Sequence, residues 1–148
     1  MILFSKLKRV VGRFLISRST YSEGTILEEL EEILRKIENE SSSITSSVLS
    51  SSDGLLLASA CQPDLDPKVL AAMAAMQQRC GSLAITKLGK KDDLICTFTQ
   101  SINVGFYTMK VDNRIVWAVI AEVNVNPSVF LAEAEKGLTK IRKVISKK

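Results

Sequence analysis

Few side chains in this 148-residue sequence are suited to chemistry, and their spacing fits none of the common reactions. The sequence contains no histidine, which removes the usual general base and with it Ser-His-Asp and Cys-His nucleophile pairs. Gly89 and Lys90 stand together, but the earlier glycine spacing and the following Ser or Thr of a phosphate-binding loop are missing. We therefore expect neither a catalytic site nor a bound cofactor.

The three cysteines also point away from chemistry. Cys61, Cys80 and Cys96 are widely separated, and neither a C-x-x-C pair nor a histidine accompanies them. A disulfide framework or a zinc site cannot be assembled from such a set. We expect small, buried or half-buried side chains in a reducing compartment, with no metal bound, which favours the cytoplasm.

The basic residues lie at the two ends of the sequence. Residues 1–22 contain five basic and no acidic side chains, residues 136–148 contain six and none, and the stretch between them is net acidic. A nucleic-acid module gathers Lys and Arg on one folded face, so the net charge of +4 does not indicate nucleic-acid binding. With 46% apolar residues, we expect one folded domain, 25–148, behind an N-terminal segment, 1–24. Its function is then expected to lie in surfaces that bind other proteins.

Residues 1–22 have the pattern of a basic amphipathic helix. Charge breaks the apolar run every few residues, which excludes a membrane-spanning helix and a secretory signal. Three interpretations remain: a helix that packs on the domain or a partner, an interfacial helix on an anionic membrane, and an organelle transit peptide. The second interpretation would place the protein at the periphery of a membrane. The residues expected to contact such a membrane are Leu3, Phe4, Lys6, Leu7, Arg9, Arg13 and Phe14.

Capping and turn signals divide the rest of the chain. A capping box at Thr25 predicts a first helix over 25–40, with apolar residues at helical spacing opposite a row of glutamates. Asp53-Gly54 predicts a hairpin with a two-residue primed turn. Further helices are expected after Asp66-Pro67 and Asn126-Pro127, because an Asp or Asn cap followed by proline is a favourable helix start.

The helix after Pro67 is apolar over nearly its whole surface. One stripe contains Val69, Met73, Met76 and Cys80, and alanines cover most of the remaining surface. Such a helix must be covered on two sides. We expect the sheet on one side and the same helix of a second copy on the other, where alanines permit close approach across a two-fold axis.

Three strands are expected between the second and third helices. Residues 94–98 alternate apolar and polar, 104–111 form a second strand, and 115–121 are a continuous apolar run typical of the middle of a sheet. Trp117 in that run is expected in the core. With the two strands of the hairpin, these elements predict an α+β domain of order αββαβββα with a five-stranded antiparallel sheet, a single sandwich preceded by the N-terminal amphipathic helix.

This order resembles the roadblock/dynein-light-chain family of the longin-like superfamily over residues 25–146. A longin domain would begin directly with its hairpin, so the helix before the hairpin favours roadblock. None of the matching residues forms a catalytic fingerprint. The residues that carry the resemblance are the Asp53-Gly54 hairpin, the alanine-rich helix at 70–76, Lys87-Leu88-Gly89, the apolar strand at 115–121 and the helix entry at 124–129.

The resemblance implies a homodimer, or a heterodimer with another roadblock protein, in which the central helices and third strands of two copies meet. It also implies a surface for a Ras-like small GTPase, which the dimer would regulate or scaffold, or attachment of cargo to dynein. No arginine finger is assigned, since Arg79 and Arg114 qualify by charge alone. A small-molecule sensor of the PAS or profilin plan is the alternative from another class, because fold alone does not decide function. The implied dimer contacts are Leu70, Ala71, Ala74, Gln78, Leu94, Cys96 and Phe98.

Overall fold

The computed structural model describes residues 23–122 and 126–146. Within these ranges the elements follow the predicted order. They are α1 (Glu23–Glu40), β1 (Ile44–Ser51), β2 (Leu56–Ala60), α2 (Pro67–Lys87), β3 (Cys96–Gln100), β4 (Val104–Lys110), β5 (Ile115–Glu122) and α3 (Pro127–Ser146). The interpretations of segment 1–22, including its membrane contacts, lie outside the described residues and stay predictions. In the described ranges, no helix is both long and apolar enough to cross a lipid bilayer.

α1 is an amphipathic helix that packs on the sheet. Leu30, Leu34 and Ile37 recur at helical spacing and are buried, while Glu28, Glu32 and Glu40 are exposed. The helix begins at Glu23, two residues before the predicted start at Thr25. The predicted helix on the sheet is otherwise confirmed.

The sheet has five strands in the order β2-β1-β5-β4-β3, and every neighbouring pair is antiparallel. β5 lies in the middle, as its continuous apolar sequence predicts, and residues 115–119 are all buried. Trp117 is completely buried, which confirms its predicted place in the core. β2 and β3 are the two edge strands.

Helices cover both faces of the sheet and create two cores. α1 and α3 share one face, where Trp117 is buried and the rings of Tyr107 and Phe130 stack 3.9 Å apart. α2 packs on the other face, against Val48 and Val116. The domain is therefore a three-layer sandwich, and among the described elements α2 alone packs on its face of the sheet.

The turn between β1 and β2 is longer than predicted. Ser52, Asp53 and Gly54 form a three-residue loop, closed by a hydrogen bond of 2.8 Å from Ser51 N to Leu55 O. Gly54 has a φ of 89°, and a residue of this conformation after a type I turn gives a three-residue hairpin with a bulge. The predicted hairpin is confirmed, but the predicted two-residue primed turn is wrong, because an Asp-Gly pair fits both loops.

The serines of β1 serve packing. Four of them, Ser46, Ser47, Ser50 and Ser51, are at most 1% exposed. Ser50 Oγ donates a hydrogen bond of 3.0 Å to Ala71 O in α2. Short side chains on this strand therefore let α2 lie close to the sheet, and one of them binds the helix backbone directly.

Gly137 of α3 lies against the indole ring of Trp117. A Cβ atom at position 137 would be 2.7 Å from Trp117 Cη2, and the fully buried ring has no room to move. We expect Gly137→Ala to lower the free energy of unfolding by about 1–3 kcal/mol, measured by urea denaturation with the fluorescence of Trp117. Gly81→Ala is the comparison: its Cβ would be 2.8 Å from Leu94 Cδ2 and 2.9 Å from Thr97 Cγ2, but both side chains are half-exposed and lie near the edge of the sheet, where they can shift. Equal losses in the two variants would contradict this explanation.

Candidate protein-binding surfaces

α2 turns its small residues toward the sheet. Ala71, Ala74, Ala75 and Gln78 are buried. The sequence pattern places the alanines at a contact with a second copy, and the structure corrects this assignment of faces. The reason is the short side chains of β1, such as Ser50, which leave space for a methyl group but not for Val or Met. Three residues of the implied dimer contact, Ala71, Ala74 and Gln78, thus lie against the sheet of their own chain.

The opposite face of α2 is an exposed apolar stripe. We call Val69, Met73, Met76, Cys80 and Leu83 the outer stripe. The exposed fractions of Val69, Met73, Met76 and Leu83 are 52%, 42%, 64% and 58%, and Cys80 is also exposed. Their spacing alternates between four and three residues, the pattern of a helix that packs along another helix. A row of exposed apolar side chains of this kind makes the outer stripe a candidate interaction site.

β3 forms the edge of the sheet beside the C-terminal half of α2. It begins at Cys96, so the prediction of Leu94 within the strand is wrong. Leu94 lies in the preceding loop, with its side chain beside Gly81, because a glycine at this point of α2 lets the loop approach closely. Phe98 is 39% exposed, and its ring lies 4.6 Å from that of Tyr107. The predicted edge residues Cys96 and Phe98 therefore share the face that α1 and α3 cover only in part.

The hydrogen-bond register directs one row of β3 backbone groups outward. Ser101 N donates to Val104 O at 2.8 Å, and hydrogen-bonded pairs alternate along an antiparallel ladder. The backbone groups of Thr97 and Thr99 therefore face β4. Those that point away from the sheet belong to Cys96, Phe98 and Gln100. Within the described residues β3 pairs with β4 alone, and such an edge is a template for another strand.

Side-chain hydrogen bonds hold β3 against α2. Gln78 Nε2 donates to Thr108 Oγ1 at 2.9 Å, and Thr97 Oγ1 donates to Gln77 Oε1 at 3.0 Å. The hydroxyls of Thr97 and Thr108 also hydrogen-bond each other, and Gln77 Nε2 donates to Thr99 Oγ1 at 3.3 Å. Sequence reasoning missed this network, for which the alternate threonines 97 and 99 were the available signal. The network fixes the position of the edge strand relative to α2.

The two arginines considered as candidates lie on either side of Ser52. Arg79 Nη2 is 3.4 Å from Ser52 O and 3.4 Å from Asp53 Oδ1, with which it forms an exposed ion pair. Ser52 N donates to Arg114 O at 2.8 Å, which places the β4–β5 turn beside this loop. The charge of Arg79 is thus partly balanced by Asp53, and no catalytic role follows from this geometry.

Two surface grooves in the described residues are candidate sites for small molecules. The larger, of about 500 Å³, lies between α1 and the loop after β2 and includes Glu38 and Cys61. Burial raises the pKa of Glu38, and burial together with the charge of Glu38 raises the pKa of the Cys61 thiol. A thiol of raised pKa is a poor nucleophile at neutral pH. The second groove, of about 260 Å³, lies between α1 and α3 beside the Lys140–Glu40 ion pair. In the described part of the chain, no cluster of Cys, Asp and Glu could hold a metal ion.

The sandwich and its two exposed surfaces define a class, a small α+β domain of the roadblock plan. The sequence model of the Roadblock/LC7 domain matches residues 29–121. The chain belongs to the Roadblock/LC7 domain family, which confirms the predicted resemblance. Among curated protein sequences, no significant match was found.

Solved structures agree with this fold. MglB from Myxococcus xanthus is similar with a TM-score of 0.72 and 18% identity, over 87% of this chain and 97% of that one. A Roadblock/LC7 domain from Streptomyces avermitilis has a TM-score of 0.69 and 19% identity, over 76% and 93%. The gliding protein MglB from Thermus thermophilus has a TM-score of 0.69 and 13% identity, over 86% and 95%. At these identities the likeness shows the fold alone.

The exposed position of Cys80 tests the orientation of α2. The prediction that all three cysteines are buried or half-buried is wrong for Cys80 and correct for Cys61 and Cys96, which are half-buried. In the native protein we expect Cys80 to react first with a thiol reagent, and the other two much more slowly, because burial raises the pKa of both. Mass spectrometry after partial labelling identifies the sites. Cys80→Ser is the control, and a fast phase that persists in it would contradict the orientation.

Proposed function

We propose that this protein is a non-catalytic dimeric adaptor that binds a Ras-like small GTPase. The observation that carries the proposal is its membership of the Roadblock/LC7 family over residues 29–121. The β3 edge supports the dimeric part of the proposal, because unpaired strand backbone is suited to contact with another strand. Two common kinds of catalytic group give no support to an enzyme, since the sequence lacks histidine and burial raises the pKa of the Cys61 and Cys96 thiols.

The dimer is proposed to form at the β3 edge. Two copies of β3 running antiparallel would join their outward backbone groups into one continuous sheet, and a two-fold axis makes the contact self-complementary. α2 would meet its copy through the side that carries Leu70 and Gln77. Ala71, Ala74 and Gln78 are buried against the sheet, and they therefore fix the distance between α2 and the sheet. α2 and β3 thus remain the proposed contact elements. Ala71, Ala74 and Gln78 support α2 from the sheet side and do not touch the second copy.

Gln100 offers a way to block the β3 edge without changing the fold. Its N–H points away from β4, so proline at this exposed position removes an outward donor and costs no hydrogen bond within the sheet. We expect Gln100→Pro to weaken self-association about tenfold or more in analytical ultracentrifugation. Gln100→Thr is the matched control, because it changes the same side chain and keeps the N–H. Similar dissociation constants for the two variants would show that the edge is not used.

Regulation of a GTPase demands more than contact. A dimer can favour one nucleotide state only if it binds the GTP-loaded and GDP-loaded forms with different affinities. Equal affinity would leave the dimer a scaffold, which concentrates the GTPase near other proteins without changing its state. The proposal therefore separates into two versions that one measurement can distinguish.

The test is capture of Ras-like GTPases of the source organism on the immobilised full chain. Each GTPase is loaded with GDP or with a non-hydrolysable GTP analogue, and binding is then quantified by surface plasmon resonance. A difference of about tenfold or more between the two states is the expected result for a regulator. Gln100→Pro serves as the comparison, since loss of capture in this variant would show that the GTPase needs the dimer. Absence of capture in both states would overturn the proposal.

A small-molecule sensor is the second candidate, and the groove at Cys61 favours it through its volume of about 500 Å³. The charged side chains of Glu31, Arg35 and Glu38 line that groove, whereas ligand pockets are mostly apolar. Native mass spectrometry of the purified protein decides the matter. A stoichiometric bound metabolite would support the sensor and count against the adaptor.

A further inference from the structure

The outer stripe is separate from the surface proposed for the dimer. It lies on the side of α2 opposite Ala71, Ala74 and Gln78, which are buried on the sheet. The β3 edge, by contrast, lies in the plane of the sheet. Pairing of two β3 strands would therefore leave the outer stripe of each copy exposed, and the stripe needs an explanation of its own.

The geometry of the outer stripe fits one helix lying along another. Its five side chains span 15 residues of α2, about 21 Å along the helix axis. Alternate spacings of four and three residues keep the stripe on one line, as a helix–helix contact requires. Two of the five are Met73 and Met76, whose flexible thioethers adapt to the shape of a partner. Exposed apolar side chains such as these are hydrated unfavourably, and a partner that covers them removes this cost in free energy.

The charge on α2 limits the kind of helix that can bind. α2 contains no acidic residue, and its charged residues are Lys68, Arg79 and Lys87. Arg79 is paired with Asp53, so the lysines near the two ends of the helix supply the charge available to a partner. A second α2 or the basic segment 1–22 would bring like charges to this surface.

We propose that the outer stripe of α2 is a docking site for an amphipathic helix of a partner protein that carries acidic residues beside its apolar face. The apolar face of that helix would cover Met73 and Met76, and its carboxylates would approach Lys68 and Lys87. The mode is a helix laid on an apolar helical surface, with side chains three and four residues apart as anchors. It requires neither the β3 dimer nor a nucleotide, so it stands or falls independently of the proposed GTPase adaptor.

The probe is a designed helical peptide of about 20 residues, with leucine at heptad spacing and glutamate at the flanking positions. A second peptide has lysine in place of each glutamate. Binding of both labelled peptides to the full chain is measured by fluorescence anisotropy, at low and at high salt. We expect the acidic peptide to bind at least about tenfold more tightly than the basic one, with the difference reduced at high salt.

The double variant Met73→Ser/Met76→Ser tests the site. Both side chains are exposed, so the substitutions leave the fold intact, and we expect binding of the acidic peptide to weaken about tenfold or more. Val129→Ser is the matched control, since Val129 is an equally exposed apolar residue on α3, at 56%. Equal effects of the two variants, equal binding of the two peptides, or no binding of the acidic peptide would each overturn the proposal. Sedimentation of the double variant checks that self-association is unchanged.

Discussion

The close approach of α2 to β1 is the constraint on which the rest of the structure depends. Short side chains face each other across this contact. Ser50 Oγ donates a hydrogen bond to Ala71 O, and Ala74 is fully buried. Because the space there accepts only small groups, the larger apolar residues of α2 must lie on the side away from the sheet. The same contact that anchors the helix thus leaves Met73 and Met76 exposed to solvent.

A second consequence concerns the edge strand. α2 continues past the middle of the sheet to β3, where the contact becomes polar and Gln77 and Gln78 bind the hydroxyls of three threonines. Hydrogen bonds of this kind add little net stability, but they are directional and penalise displacement. In the described ranges β3 has a strand neighbour on only one side, so a directional network is an effective way to hold its outer backbone groups in a fixed position.

Much of the fold could be predicted because its signals are local. The caps Asp66 and Asn126 accept hydrogen bonds from Lys68 N and Ser128 N, at 3.0 Å and 2.9 Å, where the sequence places helix starts. The continuous apolar run around Trp117 likewise predicts the central strand. The faces of α2 could not be assigned in this way, since both are apolar and the decision depends on the size of residues in a distant strand. The predicted length of the hairpin loop was wrong for a similar reason, because an Asp-Gly pair fits loops of two and of three residues.

The two exposed surfaces differ in chemistry, and this difference bears on function. The β3 edge offers backbone groups at fixed spacing, which select another extended strand in one register and suit a permanent, self-complementary contact. The outer stripe offers flexible apolar side chains, which tolerate different partner shapes and suit exchangeable contacts. The outer stripe faces away from the sheet and the β3 edge lies in its plane, so the two proposed contacts would use different surfaces. If both proposed contacts form, the domain would hold one partner permanently while it exchanges another, as an adaptor requires.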